Sequence, residues 1–262
     1  MHPRSVAIRR PYAFVALMTL ALILLLGVAG TVLFVLDAPG LSPVPLVFAP
    51  VAIAITLWAW ATKRWHLLGF RAPRLRASTA LTAGITLAAV LALTVAYTGG
   101  MAPHSVAEWL GIVGLVLLVA FVEETLFRSI FIAALAPKGI LRAVIVSSVA
   151  FALAHSVNAL SGQDLETTVR QIIFAVAFGL AAGCIYVRTA SIWPTIAFHA
   201  LFNFVQLASV HQTPAWVDWV ITTILIAGAA ALWIGGARQD RMPAAGEPTR
   251  DAVDPVAVAA NS

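Results

Sequence analysis

The feature that most constrains this chain is a succession of long apolar runs with almost no charge inside them. Eight such runs occupy residues 12–36, 44–61, 78–97, 106–135, 140–157, 169–187, 192–210 and 216–235. A helix needs about 20 mainly apolar residues to cross a bilayer core of about 30 Å, and each run meets or approaches that length. Apolar residues make up 61% of the chain and charged ones 10%, whereas soluble domains carry roughly 25% charge. Such a chain cannot cover a globular surface with polar side chains, so it needs lipid as its solvent. The expected fold class is an all-α integral membrane protein with about eight transmembrane helices. Cys184 is the single cysteine, which excludes an internal disulfide and a cysteine-based zinc cluster.

The charges that remain set an orientation. Arg4, Arg9 and Arg10 precede the first run, which is too long for a signal peptide and lacks a small-residue cleavage site, so it reads as a retained span. Placing the N-terminus inside puts fourteen of the sixteen Lys and Arg residues on cytoplasmic segments, among them Lys63, Arg64, Arg71, Arg74, Arg76, Lys138, Arg142 and Arg188. Asp37, Glu108, Asp164, Glu166 and Asp218 fall in the outer connections. This bias follows the positive-inside rule and predicts both termini in the cytoplasm, and the eight tryptophans sit near span ends as interfacial belts do. The net charge of +5 is thus an orientation signal, and no nucleic-acid partner is expected. The expected organisation is a three-helix membrane region at 1–105, a core at 106–210, a final span at 211–237 and a disordered cytoplasmic tail at 238–262.

Nine of the eleven acidic residues stay in loops, termini or span ends; Glu123 and Glu124 sit together inside the fourth run. A carboxylate at mid-bilayer costs about 2.5–3.5 kcal/mol on insertion scales, so two in succession demand a cause. Arg128 supplies part of it, four residues beyond Glu124 and on the same helical face. Glu123 points about 100° away and is left for chemistry, since burial and a nearby cation together can set a carboxylate up as a general base. His155 near the end of the fifth run, and His199 with Asn203 at i and i+4 in the seventh, are the other polar intrusions. Counted from the cytoplasmic ends of their spans, Glu124, His155, His199 and Asn203 lie roughly 13–21 Å deep. Four groups from three helices sharing one layer point to a convergent site.

Two imidazoles, a carboxylate and an amide suit water activation. In one form His155, His199 and a glutamate (Glu123) hold Zn²⁺ and leave a fourth position for water. In the other no metal takes part, Glu123 and His155 orient and deprotonate the water, and His199 with Asn203 stabilises the oxyanion. The His-Glu-x-x-His zinc signature, serine-nucleophile elbows, phosphate loops and dinucleotide fingerprints are all missing from the chain.

Glu123-Glu124-x-x-x-Arg128, Phe151-x-x-x-His155 and His199-x-x-x-Asn203 together resemble the three-motif signature of the CPBP family of CAAX proteases and bacteriocin-processing enzymes. That family of intramembrane glutamate proteases includes type II CAAX prenyl endopeptidases and abortive-infection-like proteins. The resemblance spans about residues 108–210. It implies an intramembrane endopeptidase with Glu123 activating water, Glu124 and Arg128 supporting it, His155 sharing the water or ligating metal, and His199 with Asn203 forming the oxyanion site. The implied partners are the bilayer and a peptide or membrane-protein substrate. Fourteen Arg against two Lys suggest a GC-rich bacterial genome, hence a bacterial cytoplasmic membrane. A proton- or ion-coupled transporter and a non-catalytic membrane scaffold are the rival readings.

Overall fold

The computed structural model describes residues 9–38, 41–160 and 162–239. Arg4 and the tail expected to be disordered, apart from residues 238 and 239, lie outside the described residues. Each apolar run becomes helical: α1 (Pro11–Val35), α2 (Pro43–Thr62), α3 (Ala77–Tyr97), α4 (Val106–Glu123), α5 (Ile132–Leu135), α6 (Ile140–Ala154), α7 (Val157–Leu160), α8 (Leu165–Thr189), α9 (Trp193–Ala208) and α10 (Ala215–Gln239). Between α4 and α5 the chain continues as a π-helical segment, Glu124–Phe131. Among the described residues no strand forms, only an isolated bridge between Met101 and Ser209.

Local chemistry sets the helix ends. Ser42 caps α2 by accepting from the Val44 N–H at 3.2 Å, with Pro43 in the first turn. Ser105 and Glu108 form a reciprocal capping box at the start of α4, which satisfies two otherwise orphaned donors. Asp164 caps α8 through the Thr167 N–H at 2.9 Å, and this bond holds the Asp164 carboxyl below its ordinary pKa.

One of the eight expected spans is short. Among the described residues seven helical stretches are long and apolar enough to cross a membrane, Val106–Lys138 and Ile140–Leu160 each taken whole, and α9, in the seventh of the eight runs, falls short of that length. It has 16 residues, about 24 Å at 1.5 Å per residue. The rest of its run is used at its two ends. Beyond Ala208 the backbone turns extended and pairs with the α3–α4 connection, through Ala102 N to Ala208 O at 2.8 Å and Val210 N to Gly100 O at 3.0 Å. Before Trp193 the chain is tied to the α2–α3 connection, through Ile192 N to Gly69 O at 3.0 Å and Arg74 N to Thr189 O at 2.8 Å. Gly69 has φ +82°, and a Cβ there would come within 2.8 Å of the Tyr186 ring, so glycine is needed for both the turn and the close fit.

One hydrophobic core runs through the whole bundle and joins Val15 and Leu22 of α1 to Phe48 of α2, Val90 of α3 and the central helices. The N-terminal helices are therefore packed into the same body as the core region. Phe34, Trp60 and Leu81, by contrast, are large apolar side chains left exposed, as expected where hydrocarbon is the solvent. Small residues make the closest helix contact. Ala175, Gly179 and Gly183 recur every four residues on α8, all buried, and the two glycines lie against Ser148 and Val144 of α6. Lipid offers no hydrophobic drive between helices, so such close backbone approach supplies the packing energy.

A Cβ at position 179 would sit 2.9 Å from the Ser148 Cα, a backbone atom that cannot swing aside. Gly179→Val is expected to lower the thermal unfolding temperature in detergent, by a destabilisation of about 1–3 kcal/mol typical of overpacking. Gly111→Ala, with nothing within 4 Å, should leave the unfolding temperature unchanged or slightly raised.

Candidate active site

Four of the six residues singled out by the sequence form one cluster of facing charged and polar groups. Glu124 is fully buried and Arg128 is 1% exposed. The Arg128 Nε lies 3.2 Å from Glu124 Oε2, so the expected pair is present, although across a π-helical segment rather than an α-helical turn. Glu124 Oε1 lies 2.8 Å from His199 Nδ1 of α9. An ionised carboxylate can only accept, so Nδ1 carries the proton and donates it. The opposite ring nitrogen, His199 Nε2, lies 3.6 Å from Glu123 Oε2. Consecutive helical residues diverge by about 100°, and here that divergence lets the two carboxylates face the two nitrogens of one imidazole.

Aromatic rings enclose this cluster. The Arg128 guanidinium lies 4.1 Å from the centre of the Phe151 ring, where the ring's quadrupole attracts a cation. His199 meets the Phe178 ring edge-on at 5.0 Å and the Phe151 ring at 5.9 Å. None of the three guanidinium nitrogens of Arg128 finds a hydrogen-bond partner among the described residues, nor does Glu123 Oε2 or Glu124 Oε2, so Glu124 and Arg128 meet as an ion pair rather than through a hydrogen bond. The Glu123 side chain is 13% exposed, against 0% for Glu124, so the two adjacent glutamates live in different surroundings.

The other two residues stand beside this cluster. His155 terminates α6, half-buried, with Nδ1 2.9 Å from the Phe151 carbonyl oxygen. Its ring packs on Phe151 at 4.8 Å, so the same aromatic side chain touches His155, His199 and Arg128. Asn203 lies one turn beyond His199 on α9 and is half-buried. The possible metal set of His155, His199 and Glu123 does not fit as a ligand group. Among the described residues no three His, Cys, Asp or Glu side chains are arranged to hold an ion. His199 is engaged between two carboxylates, and His155 is turned to its own helix.

Phe178 and the π-helical segment escaped the reading of the sequence. Phe174 and Phe178 share a face of α8 and stack on Phe202 and Phe198 of α9 at 5.2 and 5.0 Å, and that four-residue aromatic spacing was the available signal. The stretch Glu-Thr-Leu-Phe-Arg-Ser-Ile-Phe contains neither proline nor glycine, so nothing local announces a wide turn.

An all-helical membrane-type bundle with paired glutamates, an arginine and a histidine buried at its centre is the class of protein that these features define. Residues 104–205 match the family model described as type II CAAX prenyl endopeptidase Rce1-like. The matched stretch contains all six residues named above. No curated protein matches the chain.

Removing one partner of a buried pair leaves an uncompensated charge and costs about 3–5 kcal/mol. Arg128→Met should therefore lower the unfolding temperature sharply. The double variant Glu124→Gln/Arg128→Met should recover most of the loss, and additive destabilisation in this double-mutant cycle would contradict the pairing.

Proposed function

We propose that this protein is an intramembrane endopeptidase in which Glu123 acts as general base on a water. The observation that carries this reading is the facing pair Glu123 Oε2 and His199 Nε2, 3.6 Å apart. With its proton on Nδ1, held by Glu124, His199 presents a lone pair at Nε2. Two acceptors then face each other at a separation too long for a hydrogen bond and suited to a bridging water. A water donating one hydrogen to each would have its own lone pair free to attack.

In the reaction the water oxygen bonds to the scissile carbonyl carbon as Glu123 takes one water proton. The negative charge moves to the carbonyl oxygen, to which the Asn203 amide donates in this reading. The intermediate collapses with cleavage of the C–N bond, and the proton held by Glu123 passes to the departing amine. His155, with Nδ1 committed to the Phe151 carbonyl, keeps Nε2 free to carry a proton on the substrate side. This division of labour gives His199 the share in the water that the sequence reading gave to His155. No step is routed through a metal.

The substrate is a peptide or a membrane-associated protein. The basic ends of the bundle, at 63–76, 138–142 and Arg188, face the cytoplasm of a bacterial membrane, following the positive-inside rule.

Glu123→Gln keeps the volume and removes the base. Cleavage should fall by about 10²–10⁴-fold with unfolding temperature and membrane yield unchanged. Comparing membrane proteomes of wild-type and Glu123→Gln cells should reveal an accumulating precursor, and identical proteomes and cleavage rates would sink the assignment. Orientation has its own test. Cys184 is buried, so single cysteines can be placed at the exposed positions of Lys63 and Gln212. A membrane-impermeant maleimide added to intact cells should label Gln212→Cys and spare Lys63→Cys; the reverse pattern would invert the topology.

A further inference from the structure

The π-helical segment Glu124–Phe131 needs a cause outside its own sequence. Such wide turns are rare and cluster at functional sites, and this one has no proline or glycine to provoke it. Its neighbour α6 holds it at two points one helical turn apart. The Ser147 hydroxyl donates to the carbonyl oxygen of Phe127, in the middle of the segment. Phe151, four residues on, takes the Arg128 guanidinium on its ring. Ser147 and Phe127 are both buried, away from competing water, where an unmade hydrogen bond is costly. Ser148, next in the chain, behaves differently. Its hydroxyl bonds to the Val144 carbonyl oxygen of its own helix at 2.7 Å, and the residue faces Gly179 of α8.

We propose that Ser147 is a positioning residue that holds the Glu124–Phe131 turn open and so keeps Arg128 against both Glu124 and Phe151. An i→i+5 turn contains more residues than the 3.6 of an α-helix. Each residue after Glu124 therefore rotates through less than 100°, and the shortfall accumulates over the four steps to Arg128. Relaxation to α-helix would swing the guanidinium away from its place beside the Phe151 ring. Glu124 would lose its present counter-charge geometry, and with it the fixed Nδ1 proton of His199. Only the effect on cleavage rests on the protease reading; the effect on His199 does not.

The test uses full-length protein with ¹⁵N-labelled histidine in lipid nanodiscs, with the His199 signals assigned by difference from His199→Gln. Ser147→Ala is expected to displace the hydrogen-bonded Nδ1 signal of His199. Ser148→Ala should leave it in place, and Ser147→Thr, which keeps the hydroxyl, should preserve it. Ser147→Cys, near-isosteric and a weak donor, carries the same expectation if the alanine variant does not fold. A folded Ser147→Ala or Ser147→Cys protein with an unmoved His199 signal overturns the proposal. So does a Ser147→Thr protein that shifts the signal or fails to fold, since packing rather than the bond would then govern. In a cleavage assay with a membrane reporter, kcat should fall on the order of tenfold or more in Ser147→Ala, with KM within about twofold and recovery in Ser147→Thr. A wild-type protein that cleaves nothing yet shows the expected His199 pattern would sink the protease reading and leave this inference standing.

Discussion

The carboxylate of Glu124, fully buried and held between Arg128 and His199, is the interaction on which the rest of the site depends. An isolated charge in an apolar interior is expensive, so it persists only when paired and hydrogen-bonded. Satisfying Glu124 requires a cation from its own helix and a donor from another. Those two demands place α9 against the end of α4 and fix the ring plane of His199. Phe151 then supports Arg128, which draws α6 into the same arrangement. Three helices that share no sequence neighbourhood are thereby held at one level.

Holding them there falls to the small residues of α8 and to the ties at the ends of α9. Gly179 and Gly183 let α6 approach closely, and this brings Phe151 and Phe178 to a 6.0 Å stack behind the cluster. The α2–α3 connection adds a wedge at the basic end. There Phe70 packs on Phe121, two residues before Glu123, and on Trp193 at the start of α9. The same helix that presents His199 and Asn203 is thus fixed by backbone bonds at both ends rather than by membrane-spanning length. A shorter helix suffices because protein, not lipid, surrounds much of it.

Most of the architecture was legible in the sequence because hydrocarbon leaves few alternatives to helix. Every apolar run became helical, and of the residues that the depth argument set in one layer Glu124 and His199 are in direct contact. The helix of the seventh run came out shorter than the run itself because hydropathy cannot see that residues beyond Ala208 are needed for the pairing of Met101 with Ser209. The Glu124–Arg128 pair was readable from its spacing, but its π-helical setting was not. That turn is imposed by Ser147 and Phe151 from another helix, a tertiary effect that leaves no local mark. The orientation of His155 was hidden for a similar reason, since the end of α6 at Ala154 decides that its ring turns toward Phe151.

Adjacent residues of one chemical type can divide tasks only if their surroundings differ, and Glu123 and Glu124 meet that condition. Glu124 has both oxygens committed, one to a guanidinium and one to an imidazole, and has no exposed surface. A group so engaged is a poor proton acceptor for a passing water, because accepting a proton would dismantle two interactions. Glu123 faces His199 Nε2 beyond hydrogen-bond distance and retains some exposure, so its carboxylate is less tightly engaged than that of Glu124. Environment rather than identity separates a structural carboxylate from a reactive one. The pairing also explains why the two are consecutive. Neighbours on one helix diverge by enough to face both nitrogens of a single imidazole, so that Glu124 meets Nδ1 while Glu123 faces the opposite nitrogen, where the proposed water would sit.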